Sequence, residues 1–186
     1  MARVLVPLAD GFEEVEALTV VDVLRRGGQE VVTAAIGESL ETKGAHGVLV
    51  KADVAFEDVE DDSFEAIVLP GGGEGTQRLK DSDALIRCLQ RLADERKLIC
   101  AICAAPTVLV EAGVLDSDVH VTCYPTCQME LDRPWSPAPV VADGNIITGQ
   151  APGSALLFSL IVLQTLAGEA VARKVARLMV TDVLDA

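Results

Sequence analysis

The feature that most constrains this chain is a set of four short aliphatic runs spread along its length. They are Arg3–Ala9 (RVLVPLA), Glu30–Ile36 (EVVTAAI), Ala66–Leu69 (AIVL) and Lys97–Ile102 (KLICAI). Such runs lack the in-out alternation of a half-exposed strand and read as strands buried on both faces. Half of the residues are hydrophobic but only 3% are aromatic. The core must therefore be built from Val, Leu, Ile and Ala, which suits parallel strands covered by helices.

The connections support this. After Asp10-Gly11, a helix is expected over residues 13–26, stopped by Gly27-Gly28. Residues 40–52 read as a β-ribbon turning near Gly44–Gly47. An amphipathic helix spans 81–95, with Ser82 or Asp81 as its N-cap. Ala104-Ala105-Pro106 opens another helix running to about Ala112, since proline is tolerated in a first turn. Residues 119–123 read as a short strand, and 140–148 as a hairpin around Asp143-Gly144. Two closing helices cover 153–166 and 169–178. Strands alternating with helices predict an α/β fold with a mainly parallel, doubly wound sheet. Ligands in such sheets collect outside the carboxyl ends of the strands, where Asp10–Glu16, Pro70–Gly75 and Cys103–Pro106 all fall.

A length of 186 residues fits one domain. No apolar run has the length of a membrane span, and no basic-plus-apolar leader precedes the first strand, so a cytoplasmic location is expected. The formal charge of −14 repels phosphate backbones and argues against nucleic-acid binding; it reads most simply as a solubility surface. Five cysteines without an export signal do not suggest a disulfide scaffold. Cys100 and Cys103 sit on one strand or at its end, where their α-carbons are about 10 Å apart and too distant to pair. Cys88, inside a helix, reads as a small apolar residue.

Cys103 stands where a strand turns sharply into a helix. Such a turn lifts its residue into the mouth of the sheet, and the helix's unpaired N–H groups favour a thiolate there. Small neighbours (Ala101, Ala104, Ala105) suit so tight a turn; the plainer account is a buried structural cysteine. Glu16 shifts the balance. The apolar stripe of the first helix passes through Val20, Val23 and Leu24, and one turn back from Val20 is Glu16, so this carboxyl points inward. Burial favours its protonated form, able to donate a hydrogen bond to a thiolate and to move a proton. Glu13 and Glu14 are explained by the helix dipole. The loop Pro70–Gly75 has neither the P-loop lysine nor the spacing of a dinucleotide fold. It suits close backbone approach and an N–H offered to an oxyanion, or the glycines serve the turn alone. With His46 and His120 as the only histidines, and no ligand partner at short spacing, no metal is expected.

These residues resemble the ThiJ/PfpI superfamily, in the branch of the parkinsonism-associated deglycase and its bacterial relatives. The matching stretches are ADGFEEVEA (9–17), VVDVLRRGG (20–28), VLPGGGEG (68–75), AICAAPTVL (101–109) and APGSA (151–155), in the same order over nearly the whole chain. The resemblance implies a flavodoxin-like three-layer sandwich and a homodimer. It places the family's peroxide-sensitive nucleophile at Cys103, its protonated glutamate at Glu16, and backbone donors to an oxyanion at Gly72 and Ala104. The implied activities act on reactive carbonyls without a cofactor: methylglyoxal to lactate, or repair of early glycation adducts. Redox-linked protection or chaperoning is also implied.

The chain departs from the family pattern in informative places. Tyr124 stands where many relatives carry a histidine facing the cysteine, and a phenol is a poor base at neutrality. Proton transfer then falls chiefly on Glu16, with Tyr124 left as a substrate contact. Cys123 and Cys127 lie nearby in sequence, and either is a candidate resolving thiol for an oxidised Cys103. His46 replaces an arginine near the implied dimer contact. The leading expectation is a cysteine-dependent enzyme acting on a small carbonyl. The alternative is a redox sensor or chaperone whose Cys103 stops at sulfenic or sulfinic acid. A protease or amidase is disfavoured because Ala104 stands where those enzymes place a histidine.

Overall fold

The computed structural model describes residues 1–184. Seven of its strands form one sheet, in the order β5-β2-β1-β6-β7-β9-β8. In chain order, β1 (Arg3–Ala9) leads through α1 (Glu14–Arg26) to β2 (Glu30–Ile36). A separate antiparallel ribbon follows, β3 (Glu41–Lys43) with β4 (Leu49–Lys51), and then the short edge strand β5 (Val54–Ala55). Next come β6 (Ala66–Leu69), the helices α2 (Gly73–Lys80) and α3 (Asp83–Asp94), β7 (Leu98–Ile102) and α4 (Pro106–Glu111). The last third holds the short α5 (Gln128–Leu131), β8 (Val140–Asp143), β9 (Ile146–Gly149), α6 (Ala155–Ala167) and α7 (Glu169–Leu178). All sheet pairings are parallel except β8 with β9. The fold is the α/β flavodoxin-like sandwich that the sequence implies.

Alternate residues of the buried strands feed two cores. Val4, Val6, Leu8, Val68, Cys100 and Ile102 face α1, α6 and α7. Leu5, Ala9, Ile67, Leu69, Ile99 and Ala101 face α3 and α4. Helix α3 shows how the sequence assigns its layer: Leu85, Cys88, Leu89 and Leu92 are buried at helical spacing. The Ser82 side chain caps that helix by accepting from the Leu85 N–H at 3.3 Å. Helix α6 is apolar nearly all round, because it is wedged between α1, α7 and the sheet.

Chain order reverses between β1 and β6. From β1 the chain adds β2 and β5 on one side, then crosses to add β6 and β7 on the other. Strands diverging from such a switch point leave a crevice at their carboxyl ends. The turns after β1, β6 and β7, three adjacent strands, all open into it.

Two local expectations are corrected. Residues 119–123 form no sheet strand; Val121 instead makes one isolated bridge to Trp135, donating its N–H to Pro134 O and accepting from Ser136 N–H. The register of β9 against β7 leaves no place for another strand between them. The glycine-rich segment is a loop only as far as Gly72, for Gly73 already begins α2. The helical turn at 125–127 and α5 were not anticipated, since this stretch has too few apolar residues to show a helical stripe.

Candidate active site

Cys103 follows the last residue of β7 with φ of +65°. This left-handed conformation is uncommon for a residue bearing a Cβ and marks a strained turn. It is held on both sides: Cys103 N–H donates to Gly149 O at 2.9 Å, and Cys103 O accepts from Tyr124 N–H at 2.7 Å. The side chain is 9% exposed, at the mouth of the sheet.

Glu16, in the first turn of α1, is wholly buried. Its Oε2 accepts from the Gly71 N–H at 2.8 Å. Its Oε1 is buried without a hydrogen-bond partner, and Cys103 is the neighbouring side chain that pulls the carboxyl's pKa down. The helix start that delivers it is fixed by Glu13, whose Oε2 accepts from the Glu16 N–H at 2.7 Å, while Glu13 N–H donates to Gly71 O at 2.9 Å. The carboxyl and the loop after β6 are thus tied to each other twice.

The amides of Gly72 and Ala104 are the backbone groups that pull the Cys103 thiol's pKa down. Gly72 has φ of +94°, a left-handed conformation that glycine adopts without a Cβ penalty. A Cβ there would collide with Gly11 O and come within 2.8 Å of the Glu13 nitrogen. A Cβ on Gly71 would lie 2.7 Å from Glu16 Oε2 and 2.8 Å from Cys103 Cβ. Backbone must therefore pack directly on the thiol and carboxyl. Gly72→Ala is expected to cost about 3 kcal/mol of stability, from left-handed strain and a clash against backbone that cannot move aside. Urea unfolding measures this; a variant within a few tenths of wild type would contradict the close packing.

Burial raises the pKa of both members of the pair. The Glu16 carboxyl is pushed up to about 7, with the Gly71 N–H and the Cys103 contact pulling the other way. The thiol is also raised, by burial first and then by the charge and hydrogen bond of Glu16, against the downward pull of the Ala104 and Gly72 amides. This corrects the expectation of a thiolate favoured simply by its helix start. The turn lies too deep, beside a carboxylate, for sulfur to ionise independently. Thiol and carboxyl titrate as one unit. After its first proton leaves, the unit holds one negative charge, on carboxylate or on sulfur with the proton on Glu16.

The other candidate residues fall around this pair or away from it. Tyr124 is 42% exposed and borders Cys103 through its backbone N–H. The sulfurs of Cys123 and Cys127 are not gathered beside Cys103. They pack with the core on the α3–α4 face, whereas Cys103 belongs to the core on the α1–α6 face. Sequence proximity misled here because successive residues of an extended segment point to opposite sides. Glu14 has a role that the helix dipole did not reveal. Its carboxylate accepts from His46 N–H at 2.7 Å and meets His46 Nδ1 at 2.8 Å, securing the β3–β4 ribbon to α1. Glu13, Glu14 and His46 bring ligand-type atoms within 4.8 Å of one another, a grouping hidden by a separation of 32 residues between Glu14 and His46. Their carboxylates are engaged in the cap and the ribbon contact just described.

The model of the DJ-1/PfpI family matches residues 2–165. Protein DJ-1 homolog A of Arabidopsis thaliana is 39% identical over 167 residues, which are 89% of this chain but 43% of that protein. The chain thus spans less than half the length of this plant relative. A protein named as a deglycase from Pyrococcus abyssi is 36% identical over 154 residues, 81% of this chain and 91% of the relative. Among solved structures, oxidized DJ-1 of Toxoplasma gondii superposes with a TM-score of 0.94 at 34% identity, covering 98% of this chain and all of that one. With the family match spanning most of its length, this chain belongs to the DJ-1/PfpI family.

Proposed function

We propose that the protein is a cysteine-dependent enzyme that converts small reactive carbonyls, with methylglyoxal as the simplest substrate. The observation that carries this reading is the buried Glu16 carboxyl beside the Cys103 thiol, with one oxygen on the Gly71 N–H and the other left unpartnered. A relative named as a deglycase supports it at the level of the family.

The chemistry follows from that pair. The charged form of the pair delivers sulfur as a thiolate to the aldehyde carbon, and the substrate oxygen takes up a proton to give a hemithioacetal. The amides of Gly72 and Ala104, beside the sulfur, hold the negative oxygen as it develops. Glu16 carboxylate removes the hydrogen from the carbon bonded to sulfur and returns a proton to the neighbouring carbonyl carbon, while the hydroxyl proton passes to that neighbour's oxygen. The aldehyde carbon is oxidised and its neighbour reduced, so the electrons balance within the substrate. The product is a thioester, which water cleaves to lactate and free Cys103. Purified protein incubated with methylglyoxal is expected to yield lactate, read by proton NMR. No lactate above the uncatalysed background would overturn the reading.

A second reading has a specific observation in its favour. Glu16, protonated in the acid range, can donate to an oxygen placed on Cys103, and the Toxoplasma relative was solved as an oxidized form. On that reading Cys103 takes up oxygen from peroxide without turnover.

We also propose that the protein acts as a homodimer. Val15 and Leu18 of α1 are 52% and 40% exposed, and Val48 and Leu49 of the ribbon 49% and 65%. Glu14 joins these two elements, so their apolar side chains form one neighbouring surface. Leu49→Asp is expected to halve the molar mass seen by light scattering. A monomeric wild-type protein would remove the proposal.

A further inference from the structure

Cys123 and Cys127 lie outside the chemistry described above, yet the structure binds both to one atom. The carbonyl oxygen of Tyr124 accepts the Cys127 N–H at 2.8 Å and the Cys123 S–H at 3.2 Å. The Cys123 sulfur and the Cys127 nitrogen therefore cannot stand more than about 6 Å apart, which is within reach of a disulfide after side-chain rotation. The 3-10 turn Pro125–Cys127 curls the second cysteine back toward the first.

Their environments differ. Cys123 is fully buried, whereas Cys127 is half-buried at the edge of the same core. The buried indole Nε1 of Trp135 has no hydrogen-bond partner, and Trp135 is the side chain that pulls the Cys123 thiol's pKa down against burial. Cys127 lies near the Lys80 ammonium, itself 3.0 Å from Glu130, and beside the Thr126 hydroxyl, though burial raises its thiol's pKa despite both. One thiol is accessible to an oxidant and the other is sheltered behind it.

We infer that Cys123 and Cys127 are a second redox site, closing to an internal disulfide on exposure to hydroperoxide. Cys127 thiolate attacks the peroxide oxygen, breaking the O–O bond to give a sulfenic acid and releasing hydroxide, which is protonated to water. The Cys123 sulfur then displaces the sulfenic oxygen as a second water, with loss of its own proton. Two thiols lose two electrons, and one hydroperoxide is reduced to two waters. The pair is coupled to the active site by the residue between them, because Tyr124 N–H holds the carbonyl of Cys103.

This inference is independent of carbonyl turnover and is tested without Cys103. Cys103→Ala protein is treated with dilute hydrogen peroxide, denatured in a maleimide reagent, and cut on the amino side of aspartate. Residues 118–131 then form a fragment holding Cys123 and Cys127 and no other cysteine. The expected fragment lacks two hydrogens, carries no maleimide, and takes up two labels after reduction; oxygen added at the exposed Met129 is read separately. Two labels without reduction would overturn the inference, as would di- or trioxidised Cys127 beside a labelled Cys123. Adding Cys127→Ser should leave Cys123 free and labelled in full. A Cys123 still lost to labelling would show a different partner and likewise overturn it.

Discussion

Cys103→Ala is expected to lower lactate formation from methylglyoxal by about 10⁴-fold or more, to the level of uncatalysed hydration, because no other group can form the covalent intermediate. The neighbouring thiols do not substitute for it. Cys100 is fully buried in β7 and raised in pKa by burial alone, and Cys123 and Cys127 pack with the core on the other side of the sheet. The fold should survive. Alanine removes one sulfur atom from a 9% exposed position, and the turn is held by backbone bonds to Gly149 and Tyr124 that any residue can make. Unfolding free energy should change by about 1 kcal/mol or less. Cys103→Ser is the sharper control. It preserves shape and hydrogen bonding, but its hydroxyl ionises far less readily than a thiol, so it too should be inactive. Serine activity within tenfold of wild type would mean that sulfur does not form the bond to substrate.

Glu16→Gln should lower the same turnover by about 10³-fold, since the amide keeps the Gly71 contact but carries no transferable proton. It should also change the pH dependence. In wild type, alkylation of Cys103 by iodoacetamide should rise through an inflection near pH 7, where the thiol–carboxyl unit loses its first proton. In the variant that inflection should vanish, and reactivity should appear only in the alkaline range.

Stability should move in the opposite direction. The Glu16 carboxyl is raised from an ordinary value of 4.5 to about 7 by burial, so the folded state keeps a proton that the unfolded chain has released. The stabilisation from this retained proton is fully present below about pH 4.5 and is lost as pH rises through 7. At pH 8 the folded protein therefore carries a buried carboxylate costing about 3 kcal/mol, a cost that glutamine escapes. Urea unfolding should show the variant about as stable as wild type near pH 4.5 and more stable at pH 8. Equal stability at both values would mean that the site does not raise this carboxyl.

The sequence exposes most of the fold because the information is local. The four aliphatic runs became β1, β2, β6 and β7, and the stripe through Val20, Val23 and Leu24 placed α1. That stripe also foretold that Glu16 faces inward, since a helix fixes which side chains share a side. The strand-to-helix junction at Cys103 was legible for the same reason. Residues 119–123 were misread because a β-branched run looks like a strand whether or not a neighbour offers its backbone. Here the residues flanking Trp135 offered theirs to Val121, through Pro134 O and Ser136 N–H.

What the sequence by itself determined is the set of elements and which side chains point into the core, because both follow from repeats of two or 3.6 residues along the chain. Only the tertiary structure decided which of those buried groups meet. Gly71 and Glu16 are 55 residues apart, and Glu14 and His46 are 32 apart; no local pattern encodes either contact. The raised carboxyl followed from the inward place of Glu16 on its helix, but the raised thiol was beyond sequence. A pKa is set by how much water and which charges surround the group, and packing β1, β6 and β7 side by side settles both.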